Sequence, residues 1–308
     1  MRKLAYLLNL CKGKLFSSSD NNTQIASEPL APVLKGVKYG YINKEGKYVI
    51  NPQFDKALCF SEGLAAVEIG GKCGYINKEG KFIINPQFNE AKDFSEGMAA
   101  VGIYGKYGYI NKKGKYVVYP QFDYTGDFSE GLAVLVIGDK CGYISQEKKI
   151  VISPQFDNAL GFSEGLAVVR EGDWETGKCG YINLEGKIII NPQYDDAKSF
   201  SEGLAAVEIN GKWAYINLEG KIIINPQYDD AKSFSEGLAV VREGDWETGK
   251  CGYINKMGQI VISPQFDDAG SFSEGLALVK IGGKWGYINK EGHIVISPQY
   301  DSANSFSK

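Results

Sequence analysis

Carboxylates are the groups in this chain that recur most regularly among those able to do chemistry. Glutamates stand at Glu62, Glu96, Glu130, Glu164, Glu202, Glu236 and Glu274, and paired aspartates at Asp195-Asp196, Asp229-Asp230 and Asp267-Asp268. Two such groups hydrolyse a glycosidic bond when one is kept protonated and the other charged, which takes two different environments. Every glutamate of the series sits in the same context, S-E-G. Carboxylates in equivalent surroundings cannot divide acid and base roles, so this glutamate is expected to serve a turn or a hydrogen bond. Nor do the acids follow the spacing of a calcium loop.

Thiols and imidazole come next. Of six cysteines, Cys73, Cys141, Cys179 and Cys251 occupy one recurring position, while Cys11 and Cys59 stand apart. There is no C-x-x-C, and His293 is the one histidine. A zinc site needs clustered ligands at short spacing, so buried free thiols are the expectation, with no metal or cofactor. Unpaired thiols favour a reducing compartment. Phosphate loops, nucleophile elbows and Ser/His pairings are absent as motifs, and no enzymatic activity is expected.

Two short segments differ from the rest. Residues 172–177 and 244–249 both read G-D-W-E-T-G. Trp174, flanked by Asp173 and Glu175, and Trp246, flanked by Asp245 and Glu247, offer an aromatic surface with polar edges. Such a surface suits a peptide, a sugar or a basic side chain. The plainer expectation is that each indole folds back over its own hairpin.

These tips are insertions into a repeat. Pro-Gln-Phe/Tyr recurs at Pro52, Pro86, Pro120, Pro154, Pro192, Pro226, Pro264 and Pro298, at spacings of 34 residues, or 38 where a tip is inserted. Residues 181–205 are identical to 215–239, and 163–183 to 235–255, as if a block of 72 residues had been copied. Residues 27–33 (S-E-P-L-A-P-V) align with 61–67 (S-E-G-L-A-A-V), so a divergent first copy begins at Ser27. The stretch 27–306 then holds eight whole copies, leaving no room for a second domain.

The composition agrees: 38 Gly, 19 Tyr and 15 Phe in 308 residues fit short strands joined by tight turns. A net charge of −3 gives no basic footprint for nucleic acid. No stretch approaches the roughly 18 apolar residues of a membrane-spanning helix. Residues 1–26 read as a separate tail. Its basic start, apolar run and Cys11 resemble an export signal imperfectly, since Asn9 interrupts the run and bulky Leu10 precedes the cysteine. Residues 17–23 (S-S-S-D-N-N-T) have the composition of a linker.

Within one copy, residues 61–94, three runs alternate with turn signals: L-A-A-V-E-I at 64–69, K-C-G-Y-I-N at 72–77 and K-F-I-I-N at 81–85. They predict a three-stranded antiparallel meander. Gly70-Gly71 suits a hairpin and N-K-E-G at 77–80 a type I turn closed by left-handed Gly80. Pro86 is expected to end the third strand, with 87–94 running on toward the next copy as a brief fourth strand. Phe82 and Ile84 should share one face, opposite Ile83. On the first strand Leu64 and Ala66 oppose Val67 and Ile69. Both faces are then apolar, and one copy cannot bury both, so neighbours must stack. Gly74 should permit a close backbone approach. In the fourth copy Lys148 replaces the turn glycine; a left-handed lysine costs about 1–2 kcal/mol, so a different turn is expected there.

The run G-K-W-G-Y-I-N-K-E-G-H-I-V-I-S-P-Q-Y-D at 283–301, with F-S-E-G-L-A at 272–277, closely resembles the WG-containing repeats common in bacterial proteins. The resemblance covers 27–306. Its naming tryptophan stands at Trp213, followed by Ala214, and at Trp285; Tyr39, Tyr107, Cys73, Cys141, Cys179 and Cys251 fill the slot elsewhere. The resemblance implies a β-rich scaffold with no general enzymatic activity. The expected fold is therefore all-β, a tandem array of eight meanders arranged as an open solenoid-like superhelix, with a closed eight-bladed propeller as the alternative. The expected function is a non-catalytic scaffold for a protein or peptide partner; the alternative is a cell-envelope carbohydrate-binding module.

Overall fold

A computed structural model of the chain describes residues 30–35, 37–42, 48–273 and 275–300. The signal-like tail, the linker and the start of the first copy lie outside them. Among the described residues there are 31 strands and no helix. The strands form eight antiparallel sheets, one of three strands and seven of four. The protein is thus an all-β tandem array of meanders. The chain divides into two compact units, one reaching Gly138 and including Tyr143–Ile150, the other formed by Asp139–Gly142 and Val151–Phe306.

The second sheet, in the first unit, shows how a copy is built. Lys56–Ala57, Ala65–Ile69, Lys72–Ile76 and Phe82–Phe88 lie side by side in chain order. The short strand follows the P-Q-F of the first copy, yet it pairs with the second, Lys56 opposite Glu68 and Ala57 opposite Val67. Each copy therefore passes a short strand to the sheet of its successor.

Turn chemistry explains the connections. Gly70 and Gly71 have φ of 58° and 72°, the left-handed pair that a two-residue hairpin needs. In the second turn the Gly80 amide donates to the Asn77 carbonyl at 2.9 Å, and Asn77 Oδ1 accepts from the Glu79 and Lys81 amides at 3.1 and 3.0 Å. The fourth copy corrects one expectation. Lys148 keeps this turn, with φ of 68° and its amide donating to the Ser145 carbonyl at 3.0 Å. The geometry of the turn outweighs the steric cost of a left-handed lysine.

The third strand corrects another. It does not stop at Pro86 but runs through it to Phe88. Tyr75 pairs with Ile84 and Cys73 with Phe88, so two steps on one strand span four on the other, and Asn85, Pro86 and Gln87 form a bulge. This strand is the sheet's edge, where a residue with no N–H costs no ladder bond. The bulge crosses Gly74, where a methyl group would lie 2.6 Å from the Ile84 carbonyl oxygen and 2.7 Å from the Pro86 nitrogen. The expected close approach is therefore real.

The core lies between successive copies. Leu64, Ala66, Tyr75, Ile84, Phe88 and Phe94 of the second copy pack with Ala99, Val101 and Ile110 of the third, while Ala65 and Val67 turn back to Ile50 and Phe54 of the first. Burying such side chains contributes roughly 1.5–3 kcal/mol each, and an isolated copy would lose much of that. The edge strand departs from the expected alternation: Ile84 is buried, but Phe82 and Ile83 are both exposed, because no further strand covers the edge.

Polar groups tie the second sheet to the strand Glu90–Ser95, which pairs into the next, and to the following copy. The buried Tyr75 hydroxyl donates to the Lys92 carbonyl at 2.8 Å, and Ser61 Oγ to that of Phe94 at 2.7 Å. Glu62, at φ of 50° in its turn, accepts from the Gly97 amide and pairs with Lys112, each at 3.0 Å. Glu202 and Glu236 repeat this in the second unit, with Gly237 and Lys256, and with Gly275 and Lys290. The S-E-G carboxylate is a clamp between copies, as its recurrence implied.

Candidate functional site: two clefts beside the tryptophan tips

Both inserted tips lie in the second unit and are built alike. The neck of the first is closed by Gly172 and Gly177, so near each other that a methyl on Gly172 would sit 2.8 Å from the Gly177 Cα. Inside the loop Asp173 Oδ1 accepts from the Glu175 amide at 2.9 Å and from the Thr176 amide and hydroxyl at 2.7 and 2.9 Å. These donors hold the Asp173 carboxyl below its ordinary range. Asp245 does the same with Glu247 and Thr248. Asp173 and Asp245 therefore brace the loop, each through its Oδ1.

Behind each tip stands a buried arginine. Arg170, on the strand Leu166–Glu171, lies opposite Asn158 on one side and Cys179 on the other. It is 4 % exposed, and its two terminal nitrogens find acceptors while the buried Nε finds none among the described residues. Nη1 donates to the Gly177 carbonyl at 2.9 Å and Nη2 to that of Asp195 at 2.6 Å, with Asp196 Oδ1 3.6 Å away. The guanidinium also faces the Trp174 ring, 5.0 Å from its centroid. Arg242 repeats the pattern with Gly249, Asp267, Asp268 and the Trp246 ring.

Each indole thus has the arginine of its own hairpin against its ring but keeps most of its surface free. Trp174 and Trp246 are each 73 % exposed. Trp174 forms one wall of a cleft of about 250 Å³, lined also by Leu160, Val168, Arg170, Cys179 and Asp196. Trp246 borders a second of about 320 Å³, with Arg242, Glu247, Asp267, Asp268 and Lys280. Glu247 lines its cleft; Glu175 is exposed at the tip of the other.

Sequence reasoning missed the arginines. Their signal was present: arginine occurs in the repeats only at 170 and 242, the two copies that carry a tip. It also missed that Asp196 lines the first cleft and that Asp267 and Asp268 line the second. Asp195 forms an ion pair with Lys178 and accepts from the Asn210 amide at 2.6 Å, contacts that hold it below the usual carboxylate range. Asp196 instead lines the cleft, with its side chain 48 % exposed.

The thiols sit below this surface. Burial pushes Cys179 up to about 11 and raises Cys251 as well, which leaves them protonated and poor nucleophiles at neutral pH. Among the described residues no group of three or more His, Cys, Asp or Glu is placed to hold a metal ion, and no helix is long and apolar enough to cross a membrane. The clefts offer an aromatic face, some aliphatic wall and charged rims, an arrangement for holding a side chain.

A crystal structure described as that of the eukaryotic initiation factor matches 85 % of this chain and 82 % of its own, with 12 % identity and a TM-score of 0.62. At that identity the likeness is one of fold. Hsv2p of Kluyveromyces lactis matches 76 % of this chain and 93 % of its own, with 11 % identity and a TM-score of 0.48. No curated protein gives a significant match. The profile of the WG containing repeat fits eight successive segments, 39–73, 74–107, 107–141, 142–173, 180–213, 213–245, 252–285 and 285–308. With nearly all of its repeat array so matched, the chain belongs to the WG containing repeat family.

Proposed function

We propose that the protein is a non-catalytic repeat scaffold that binds a protein or peptide partner through the two tryptophan clefts. The observation carrying this reading is the exposure of Trp174 and Trp246, each 73 %, on loops that are otherwise held rigid by internal hydrogen bonds. An indole fixed in place yet open to solvent gains apolar contact on binding with little ordering cost, the usual profile of an interface anchor. The remaining recurrent polar groups are engaged in holding copies together, which supports a scaffold over a catalyst.

A display library of unstructured peptides, selected against the whole protein, tests the proposal. Selected peptides should lose about thirtyfold in affinity on Trp174→Ala combined with Trp246→Ala, the scale of an anchor tryptophan. Selected binders indifferent to both substitutions would refute it. The carbohydrate reading rests on the same rings: a glycan array bound through these tryptophans, with no peptide selected, would replace the partner by a sugar.

A further inference from the structure

The turn between the second and third strands of a copy changes character in the middle of the array. Lys112, Lys256 and Lys290 stand in this turn and pair with the S-E-G carboxylates Glu62, Glu202 and Glu236. By alignment of the copies, Leu184 and Leu218 occupy the places from which a lysine would reach Glu130 and Glu164. Both leucines are exposed, 39 % and 41 %. Twice, then, a lysine that ties copies together is replaced by an aliphatic side chain standing in water.

The leucines extend an apolar surface on the sheet edge. The edge strands Ile188–Tyr194 and Ile222–Tyr228 open with Ile188, Ile189, Ile222 and Ile223, each 39–43 % exposed. Both strands lie in the second unit, and the turn of the sixth copy sits on the edge strand of the fifth, where a methyl on Gly220 would lie 3.2 Å from Ile190 Cγ1. The six side chains thus make a patch on the order of several hundred Å², the size at which exposed apolar surface marks an interface.

The charged border of the patch says what covers it. Each turn adds one glutamate and one lysine, Glu185 with Lys187 and Glu219 with Lys221. All four are exposed and none is in an ion pair among the described residues, whereas Glu79 and Lys81 of the second copy bond to each other at 2.9 Å. Their charges cancel, so the border gives no cationic field for an anionic bilayer or a nucleic acid. It is complementary to itself. A twofold contact brings residue i of one protomer to j of the other and j to i. Here the two turns are the same surface, because residues 181–205 and 215–239 are identical. Setting the fifth-copy turn of one chain against the sixth-copy turn of another matches aliphatic with aliphatic and lets each lysine meet a glutamate.

We propose that this patch is occupied by a second copy of the chain, docked about a twofold axis through the turns of the fifth and sixth copies. The surface is separate from the tryptophan tip. In the fifth copy the paired strands run from Leu166 opposite Asn183, beside Leu184, to Glu171 opposite Lys178, beside the tip, so turn and tip lie at opposite ends of the sheet. Dimerisation leaves the tip open and doubles the number of anchors offered to a partner.

Sedimentation velocity of the intact protein over about 1–300 μM should show a reversible dimer with a dissociation constant on the order of 10–100 μM, as befits a small interface. Leu184→Lys combined with Leu218→Lys installs the residue that other copies carry, so it should preserve the fold while weakening the dimer by about tenfold or more. Lys187→Glu with Lys221→Glu should weaken it as well. Mixing that variant with one carrying Glu185→Lys and Glu219→Lys should restore association as a heterodimer. A protein monomeric throughout, a dimer indifferent to the leucine substitutions, or charge variants that fail to rescue each other would each overturn the assignment. So would a monomer that floats with anionic lipid vesicles through the same leucines, which would make a bilayer the occupant. Peptide binding at Trp174 and Trp246 is read separately, so either proposal can fail alone.

Discussion

Exchanging Lys148 for glycine, alone and together with Val118→Ile, probes the contact between a turn and the preceding copy. At Gly80, Gly114, Gly186, Gly220, Gly258 and Gly292 a methyl group would come within 2.9 to 3.3 Å of an isoleucine side chain, Ile50, Ile84, Ile152, Ile190, Ile224 and Ile262 in turn. By alignment of the copies the residue expected to face Lys148 is Val118, which lacks the δ methyl. A smaller neighbour there would accommodate the lysine Cβ. A left-handed lysine costs about 1–2 kcal/mol, and glycine's greater freedom when unfolded returns about 0.5–1, so Lys148→Gly alone should stabilise by about 0.5–1 kcal/mol. Val118→Ile should cost about 1–3 kcal/mol beside Lys148 through overpacking. Beside glycine the added methylene is worth up to about 0.8 kcal/mol. The coupling between the two sites should then exceed about 1 kcal/mol. Native-state amide exchange at Ser145, whose N–H donates to the Lys149 carbonyl at 2.9 Å, reads the local stability in the intact chain. Simple additivity would refute the argument.

Other expectations are as direct. Gly252→Ala should destabilise by more than about 2 kcal/mol, since the methyl would lie 2.5 Å from the Ile262 carbonyl oxygen, whereas Ala214→Gly in the sixth copy should be tolerated; chemical denaturation compares them. Asp123, Asp157 and Asp229 are held below the ordinary aspartate value chiefly by Lys106, Lys140 and Lys212. Their contribution is present above the unfolded value near pH 4 and is lost as pH falls through the lower folded values, so replacing each with Asn should flatten the acid limb of the stability profile. Cys59 and Cys73, half-buried, should react with an aromatic disulfide at pH 8 well before Cys179 and Cys251, which are buried; equal rates would mean that the cores open readily. Glu202→Gln should cost at most about 1 kcal/mol by loosening Lys256, measured as faster exchange at the Gly237 amide.

The repeat, its phase and its strand runs were legible because apolar alternation and turn residues are local signals that eight copies reinforce. Leu64 and Ala66 were rightly placed against Val67, since side chains alternate faithfully along a regular strand. The alternation failed at Phe82, Ile83 and Ile84, where it cannot distinguish a covered strand from a sheet edge. Pro86 misled because its missing donor matters only if a partner strand waits for it. The arginines of the clefts were invisible for a different reason: their burial depends on carbonyls of Gly177 and Asp195, 7 and 25 residues distant, which no local pattern announces. Asp173 and Asp196 look alike in sequence, yet one braces its own loop and the other is open.

The short strand that each copy contributes to its successor has an evolutionary corollary. Every seam along the array is sewn with the same stitch, a residue pair such as Lys56 and Ala57 laid against Glu68 and Val67. A genetic event that adds or deletes one period, cut at any phase, therefore regenerates the seam it severed. Lengthening or shortening the array requires no new junction, and the duplicated block of 72 residues is what such an unobstructed copying step leaves behind.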